Sequence, residues 1–183
     1  MKKIILASSS PRRKELLTTA GIEFEIHVKD VDESVPDGTP PAEAAKMTAA
    51  KKAAAVAEDF KDCVVIGADT IVVANGKILG KPKDEADAKS MLRMLSGIEH
   101  EVITGVCIIR NGTPETFAQI SKVKFYNLTD EEISAYVATK EPIDKAGAYG
   151  IQGLGCKLVE RIEGDYFNIV GLPVAEVCQR LKY

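Results

Sequence analysis

The chain has 183 residues, 45% hydrophobic, 28% charged and 5% aromatic, with no tryptophan, the composition of an ordinary folded protein. That length buries roughly 70% of an unfolded chain's surface, so residues 1–183 are read as a single domain, with two lobes sharing a sheet as the other arrangement. A net charge of −3 argues against a general electrostatic grip on nucleic acid or on an anionic membrane, and basic residues must therefore act locally.

Met1-Lys2-Lys3 precedes an apolar stretch that ends within a few residues at Ser8-Ser9-Ser10, too short for a signal peptide. No segment approaches the eighteen or so apolar residues of a membrane span. A soluble, cytoplasmic protein is expected. The first strand is predicted over Lys3 to Ala7, followed by a helix from Pro11 to about Ala20, with Ser10 as its cap and Gly21 as its stop. A second strand lies near Phe24 to Val28. After the turn-rich 35–41 segment comes an alanine-rich helix, Ala42 to Phe60, whose small side chains allow close packing on a sheet.

The run Cys63-Val64-Val65-Ile66-Gly67-Ala68-Asp69-Thr70-Ile71-Val72-Val73 predicts a buried strand. Asn75-Gly76 then signals a hairpin to a short return strand, Lys77 to Leu79. Asp84 caps a helix whose Ala88, Met91, Leu92 and Leu95 share one face. Two long strands, near Glu101 to Arg110 and Thr116 to Tyr126, are joined through Asn111-Gly112. Thr129 and Glu132 form a capping box for a helix that packs Ile133, Tyr136 and Val137. A glycine-rich segment, a hairpin around Glu163-Gly164-Asp165 and a helix from Pro173 complete an α/β pattern with a mixed sheet.

Asp69 is the most informative residue. A carboxylate inside an apolar strand costs several kcal/mol unless a metal, a cation or several donors compensate it. Ser8-Ser9-Ser10-Pro11-Arg12-Arg13 lies where a strand meets a helix, so hydroxyls, amides and two guanidinium groups converge on a place suited to an anion. Asp32 and Glu33 supply further carboxylates, and oxygen-only ligation with substrate phosphates suits Mg²⁺ or Mn²⁺. Lys81, before Pro82, is biased towards an extended conformation and suits a phosphate, and Lys51 or Lys52 can face the same site. The segment 145–155 carries four glycines, matching neither the dinucleotide nor the P-loop pattern, while Gln152 is suited to reading a base edge. The four cysteines are widely spaced and read as reduced, packed thiols. The two histidines, His27 and His100, lie far in sequence from any candidate nucleophile, so a Ser-His-Asp or Cys-His mechanism is not expected.

The ordered stretches Leu6-Ala7-Ser8-Ser9-Ser10-Pro11-Arg12-Arg13-Lys14-Glu15-Leu16-Leu17, Gly67-Ala68-Asp69-Thr70, Gly80-Lys81-Pro82 and Asp144-Lys145-Ala146-Gly147-Ala148-Tyr149-Gly150-Ile151-Gln152-Gly153 resemble the Maf family of nucleoside triphosphate pyrophosphatases across essentially the whole chain. The resemblance implies an elongated twisted mixed sheet flanked by helices, with two lobes around a central cleft. It implies hydrolysis of a nucleoside triphosphate to the monophosphate and pyrophosphate with a divalent metal. It makes Asp69 the proton acceptor, with Glu33 its metal or water partner, and sets Ser8, Arg13, Lys52 and Lys81 around the phosphates. Arg12, Thr70 and Gln152 match positions tied to substrate choice, in the version resembling the subgroup that prefers dTTP and UTP, with modified pyrimidine nucleotides as further substrates. A homodimer is compatible with the resemblance. The competing reading is a nucleotide-binding regulator of septum formation, which would need the phosphate grip but neither Asp69 nor Glu33.

Overall fold

The computed structural model describes residues 2–182. Strands β1 (Ile4–Leu6), β2 (Glu25–Ile26), β3 (Val64–Ala74), β4 (Lys77–Leu79), β5 (Glu99–Arg110), β6 (Thr113–Phe125) and β7 (Val159–Glu163) join in a seven-stranded sheet of order β2-β1-β3-β5-β6-β7, with β4 paired to β3. The sheet is mixed. β1 runs parallel to both β2 and β3, while β4 is antiparallel to β3 and β7 to β6. The helices are α1 (Pro11–Thr19), α2 (Pro41–Ala57), α3 (Glu85–Leu95), α4 (Asp130–Ala138), α5 (Tyr166–Val170) and α6 (Val174–Leu181), with short 3₁₀ turns at Glu141–Asp144, Ala146–Ala148 and Gly153–Leu158.

The chain divides into two compact units. The first takes the chain up to Thr70, then Thr104–Gln119, then the segment from Gly171 onward; the second takes Ile71–Ile103 and Ile120–Val170. In the first, Ile5, Ala7, Val65, Cys107 and Ile109 pack with Ala49, Ala53 and Val56 of α2. The core of the second is bulkier, with Leu92, Leu95, Phe125, Tyr136 and Tyr149 among its members.

Local rules explain most boundaries. Asn75 and Gly76 have φ of 50° and 73°, and Asn111 and Gly112 have 51° and 75°, the paired positive values that two-residue hairpins require. Asp84 accepts from the Asp87 amide at the start of α3, and the Thr129–Glu132 capping box opens α4. Ala88, Met91, Leu92 and Leu95 are buried on α3, as Ile133, Tyr136 and Val137 are on α4.

Four expectations need correction. The second strand is shorter than Phe24 to Val28, because it pairs only with β1 and both its residues are exposed. Ser10 stands at the N-cap of α1 without a side-chain bond to the helix. Its amide instead donates to Ser8 Oγ at 3.3 Å and its carbonyl accepts from Lys14, so the serine engaged through its side chain is Ser8. No hairpin forms around Glu163-Gly164-Asp165. β7 finds its partner in the earlier β6, and Gly164 (φ 108°) passes the chain into α5, where Asp165 Oδ1 accepts from the Phe167 amide. The cysteines are all unpaired, yet only Cys107 is buried and Cys156 is exposed. Burial pushes the Cys107 thiol up to about 11. Among the described residues no helix is long and apolar enough to cross a membrane.

Candidate active site

Gly67 and Gly105 determine how the first unit builds its charged site. A Cβ on Gly67 would lie 2.4 Å from the Ala49 carbonyl oxygen and 2.9 Å from Ala53 Cβ, and one on Gly105 would lie 2.3 Å from the Ala45 carbonyl carbon. Helix α2 therefore rests almost backbone to backbone on β3 and β5, which its buried alanines permit. Lys52, on the same helix, then reaches Asp69, two residues beyond Gly67. Its Nζ donates to Asp69 Oδ1 at 2.8 Å and stands 3.0 Å from Glu33 Oε2. The Lys52 and Asp69 side chains are only 19% and 18% exposed whereas Glu33 is 57% exposed, so water screens the Glu33 arm far more than the Asp69 arm.

The neighbouring Lys51 turns elsewhere. Its Nζ donates to the carbonyls of Asp32 and Ser34 at 3.0 and 2.6 Å, fastening the loop that carries Glu33. Asp32 closes the same loop on itself, accepting from the Ser34 amide at 2.9 Å and the Ser34 hydroxyl at 2.7 Å. Of the two lysines and two acidic residues considered, Lys52 meets both Asp69 and Glu33, while Lys51 and Asp32 order their loop.

A second cluster in the same unit gathers around Arg13. Nε donates to the Gly171 carbonyl at 2.8 Å, Nη1 to Ser8 Oγ at 3.1 Å and Nη2 to Thr70 Oγ1 at 3.0 Å. Burial lowers the guanidinium pKa to about 10, with the Asp69 charge pulling it back up and Arg12 adding to the lowering. Arg13 is therefore cationic at neutral pH. Thr70 Oγ1 also lies 2.9 Å from Thr104 Oγ1, whose residue is fully buried. Because Asp69 and Thr70 are consecutive strand residues, their side chains leave opposite faces of β3. Asp69 meets Lys52 of α2, and Thr70 meets Arg13 of α1.

Thr104 and the Gly171 carbonyl join the Arg13–Thr70 cluster and are not among the candidates drawn from the sequence. Thr104 carried the same signal as Asp69, a polar residue inside the apolar run Val102-Ile103-Thr104-Gly105-Val106. A backbone carbonyl at Gly171 has no signal of its own.

Lys81 and Gln152 belong to the second unit. Lys81 is exposed, and Gly80 before it accepts from the Gly147 amide at 3.0 Å, tying this tripeptide to the glycine-rich segment. Gln152 is half-buried and precedes Gly153, whose φ is 67°.

The test for a divalent cation rests on the donor set. Among the described residues no group of three His, Cys, Asp or Glu side chains gathers. Asp69 and Glu33 are two carboxylates aimed at one common point, the Lys52 ammonium. Mg²⁺ is commonly held by one or two carboxylates plus substrate phosphates, and the chemistry of these two oxygen donors fits such a hard cation.

Over residues 3–183 the chain matches the family described as Maf-like protein. The dTTP/UTP pyrophosphatase of Bacillus cereus (strain ATCC 10987 / NRS 248) is 54% identical over 182 residues, spanning 100% of this chain and 90% of that protein. The dTTP/UTP pyrophosphatase of Bacillus cytotoxicus is 52% identical, covering 100% and 95%. Among solved structures, a HAM1 protein from Coxiella burnetii shares the fold at a TM-score of 0.56, with 15% identity and coverage of 100% and 99%.

Proposed function

The chain belongs to the Maf-like family, and from that premise we propose that it hydrolyses dTTP and UTP to the monophosphate and pyrophosphate, with modified pyrimidine triphosphates as further substrates. One observation carries the chemistry: Asp69, in the middle of an apolar strand, is held by Lys52 beside Glu33. The substrate assignment is supported by relatives more than half identical over the whole chain that bear that activity in their names.

In this reading a water oxygen attacks the α-phosphorus, the bond from that phosphorus to the α–β bridging oxygen breaks, and pyrophosphate leaves. Asp69 orients the water and takes its proton. Lys52 keeps the two carboxylates together without neutralising both, and Arg13 and Ser8 offer donors to the phosphate oxygens, joined by Lys81. Asp69 and Glu33 would hold a divalent cation, Mg²⁺ or Mn²⁺, and when bound it would neutralise charge developing on the leaving group. Arg12, Thr70 and Gln152 choose the base. The link from Thr70 to Arg13 supports this division, since one hydroxyl then joins a base-choosing position to a phosphate-binding one. A cytoplasmic location fits a protein that works on the nucleotide pool.

The test is pyrophosphate release from a panel of standard and modified nucleoside triphosphates with Mg²⁺ or Mn²⁺, beside Asp69→Asn. Selective cleavage of dTTP and UTP, reduced about 10²-fold or more in the variant, is the expected result. Cleavage of other bases instead would keep the enzyme and discard the roles of Arg12, Thr70 and Gln152. Nucleotide binding without pyrophosphate release from any substrate would replace catalysis with a regulatory role.

A further inference from the structure

We propose that Glu141, acting with Tyr136, is a positioning residue for base selection: the two side chains clamp the Gly150–Gly155 loop and so fix how Gln152 is presented. The inference rests on the base-choosing role given to Gln152 and adds the residues through which that role is exerted.

Glu141 opens the 3₁₀ turn that follows α4. Its Oε1 accepts from Tyr136 Oη at 2.9 Å and from the Gly155 amide at 3.0 Å, and its Oε2 accepts from the Leu154 amide at 2.9 Å. Tyr136 Oη in turn accepts from the Gly150 amide at 3.2 Å. Gln152 thus lies between tethered amides on both sides, Gly150 before it and Leu154 and Gly155 after it. The clamp also explains two glycines. A Cβ on Gly153 would stand 2.8 Å from Glu141 Oε2, and one on Gly155 would stand 2.2 Å from the Gly150 carbonyl oxygen and 2.6 Å from Tyr136 Oη.

Both side chains are in the protonation state the clamp needs. Burial works to raise the Glu141 pKa, but the Leu154 and Gly155 amides and the Tyr136 hydroxyl outweigh it and hold the carboxyl below the ordinary range. It is an ionised, acceptor-only group. Tyr136 is fully buried, and desolvation raises its pKa, so it remains a phenol that donates to Glu141. The carboxylate is itself restrained from its other end, where the Glu141 carbonyl accepts from Lys145 Nζ at 2.6 Å.

A loop held only for stability and a loop held to present one side chain differ in what their loosening does. Loosening the first lowers activity on every substrate alike. Loosening the second erodes the preference among bases, because a contact displaced by about 1 Å loses most of its value. The experiment compares kcat/KM for dTTP, dCTP and dATP in the full chain and in Glu141→Gln, Gln152→Ala and the double variant. Glu141→Gln is expected to reduce the dTTP to dATP ratio about tenfold, mainly through KM, with the double variant no worse than Gln152→Ala alone. Amide hydrogen exchange at Leu154 and Gly155 is expected to accelerate in Glu141→Gln.

An equal loss on all three substrates, or unchanged exchange at the two amides, overturns the positioning role while leaving Gln152 as it stands. A Gln152→Ala protein with unaltered preference removes the base-reading premise, and this proposal with it, as a separately recognisable outcome. Should Glu141→Gln fail to fold, Tyr136→Phe is the second variant. It deletes the bond to Gly150 and one donor to Glu141, and a smaller shift of the ratio in the same direction is expected; an unshifted ratio overturns the proposal.

Discussion

Helix α2 of the first unit and helix α3 of the second are both buried on one side, yet by opposite means. Helix α2 presents Ala44, Ala45, Ala49 and Ala53 and approaches glycines 67 and 105 so closely that neither tolerates a Cβ. Helix α3 presents Ala88, Met91, Leu92 and Leu95 and fills space with side-chain volume. Apolar burial of about 25 cal/mol per Å² favours the second arrangement for stability. The first places the helix axis near the strands, so that a long Lys52 side chain meets Asp69 rather than passing over it. The alanine-glycine interface fixes the position of charge, and the leucine-methionine interface supplies cohesion.

Five substitutions probe that contrast, beginning with the largest effect. Gly67→Ala forces a Cβ against the backbone of α2, and a cost of about 3 kcal/mol or more is expected. Urea denaturation measures it, and the folded fraction should also lose pyrophosphate release as Lys52 withdraws from Asp69. Leu92→Ala in the other unit opens a cavity costing about 3 kcal/mol. Here activity per folded molecule should be retained, and an activity loss as large as that of Gly67→Ala would erase the distinction between the two interfaces.

The third prediction is a pH effect confined to the second unit. His100 is buried, its Nε2 2.8 Å from Tyr149 Oη, and desolvation lowers its pKa from 6.5 to about 4. The unfolded chain therefore binds a proton near pH 6.5 that the folded chain refuses until near pH 4. The stabilisation is fully present above pH 6.5 and is lost as pH falls towards 4, amounting to about 2 kcal/mol by pH 5. His100→Leu should flatten the fall in urea midpoint between pH 7 and pH 5; an unchanged slope would assign the acid sensitivity to other groups.

The smallest effect compares two helix starts. Thr129→Ala removes the capping box of α4 and should cost about 1 kcal/mol, read as a fall in thermal midpoint. Ser10→Ala at the start of α1 should change stability by less than about 0.5 kcal/mol, because no side-chain cap exists there.

Much of this was legible in advance where the controlling physics is local. The Asn-Gly turns, the Asp84 and Thr129 caps and the apolar faces of α3 and α4 all involve residues within a few positions of one another. Asp69 was legible for a different reason: a charge in an apolar run conflicts with its surroundings, and conflict is visible in one dimension. The end of β7 is not legible in the sequence, because strand pairing is a choice among distant partners. Gly164 looks the same whether the following segment folds back as a strand or enters a helix.

The sequence specifies, through residue type and short-range order alone, that a Ser-Arg turn suited to an anion, a strand carboxylate and a glycine-rich segment share one α/β chain. It left Lys51 and Lys52 equivalent. Only the tertiary structure separated them, since adjacent helical residues point about 100° apart and the docking of α2 on Gly67 and Gly105 decides which one faces Asp69. Thr104, the Gly171 carbonyl and Glu141 depended on tertiary structure in the same way. Each acts through a hydrogen bond to a residue at least 13 positions away, and such pairings are set by how elements pack rather than by the order in which they occur.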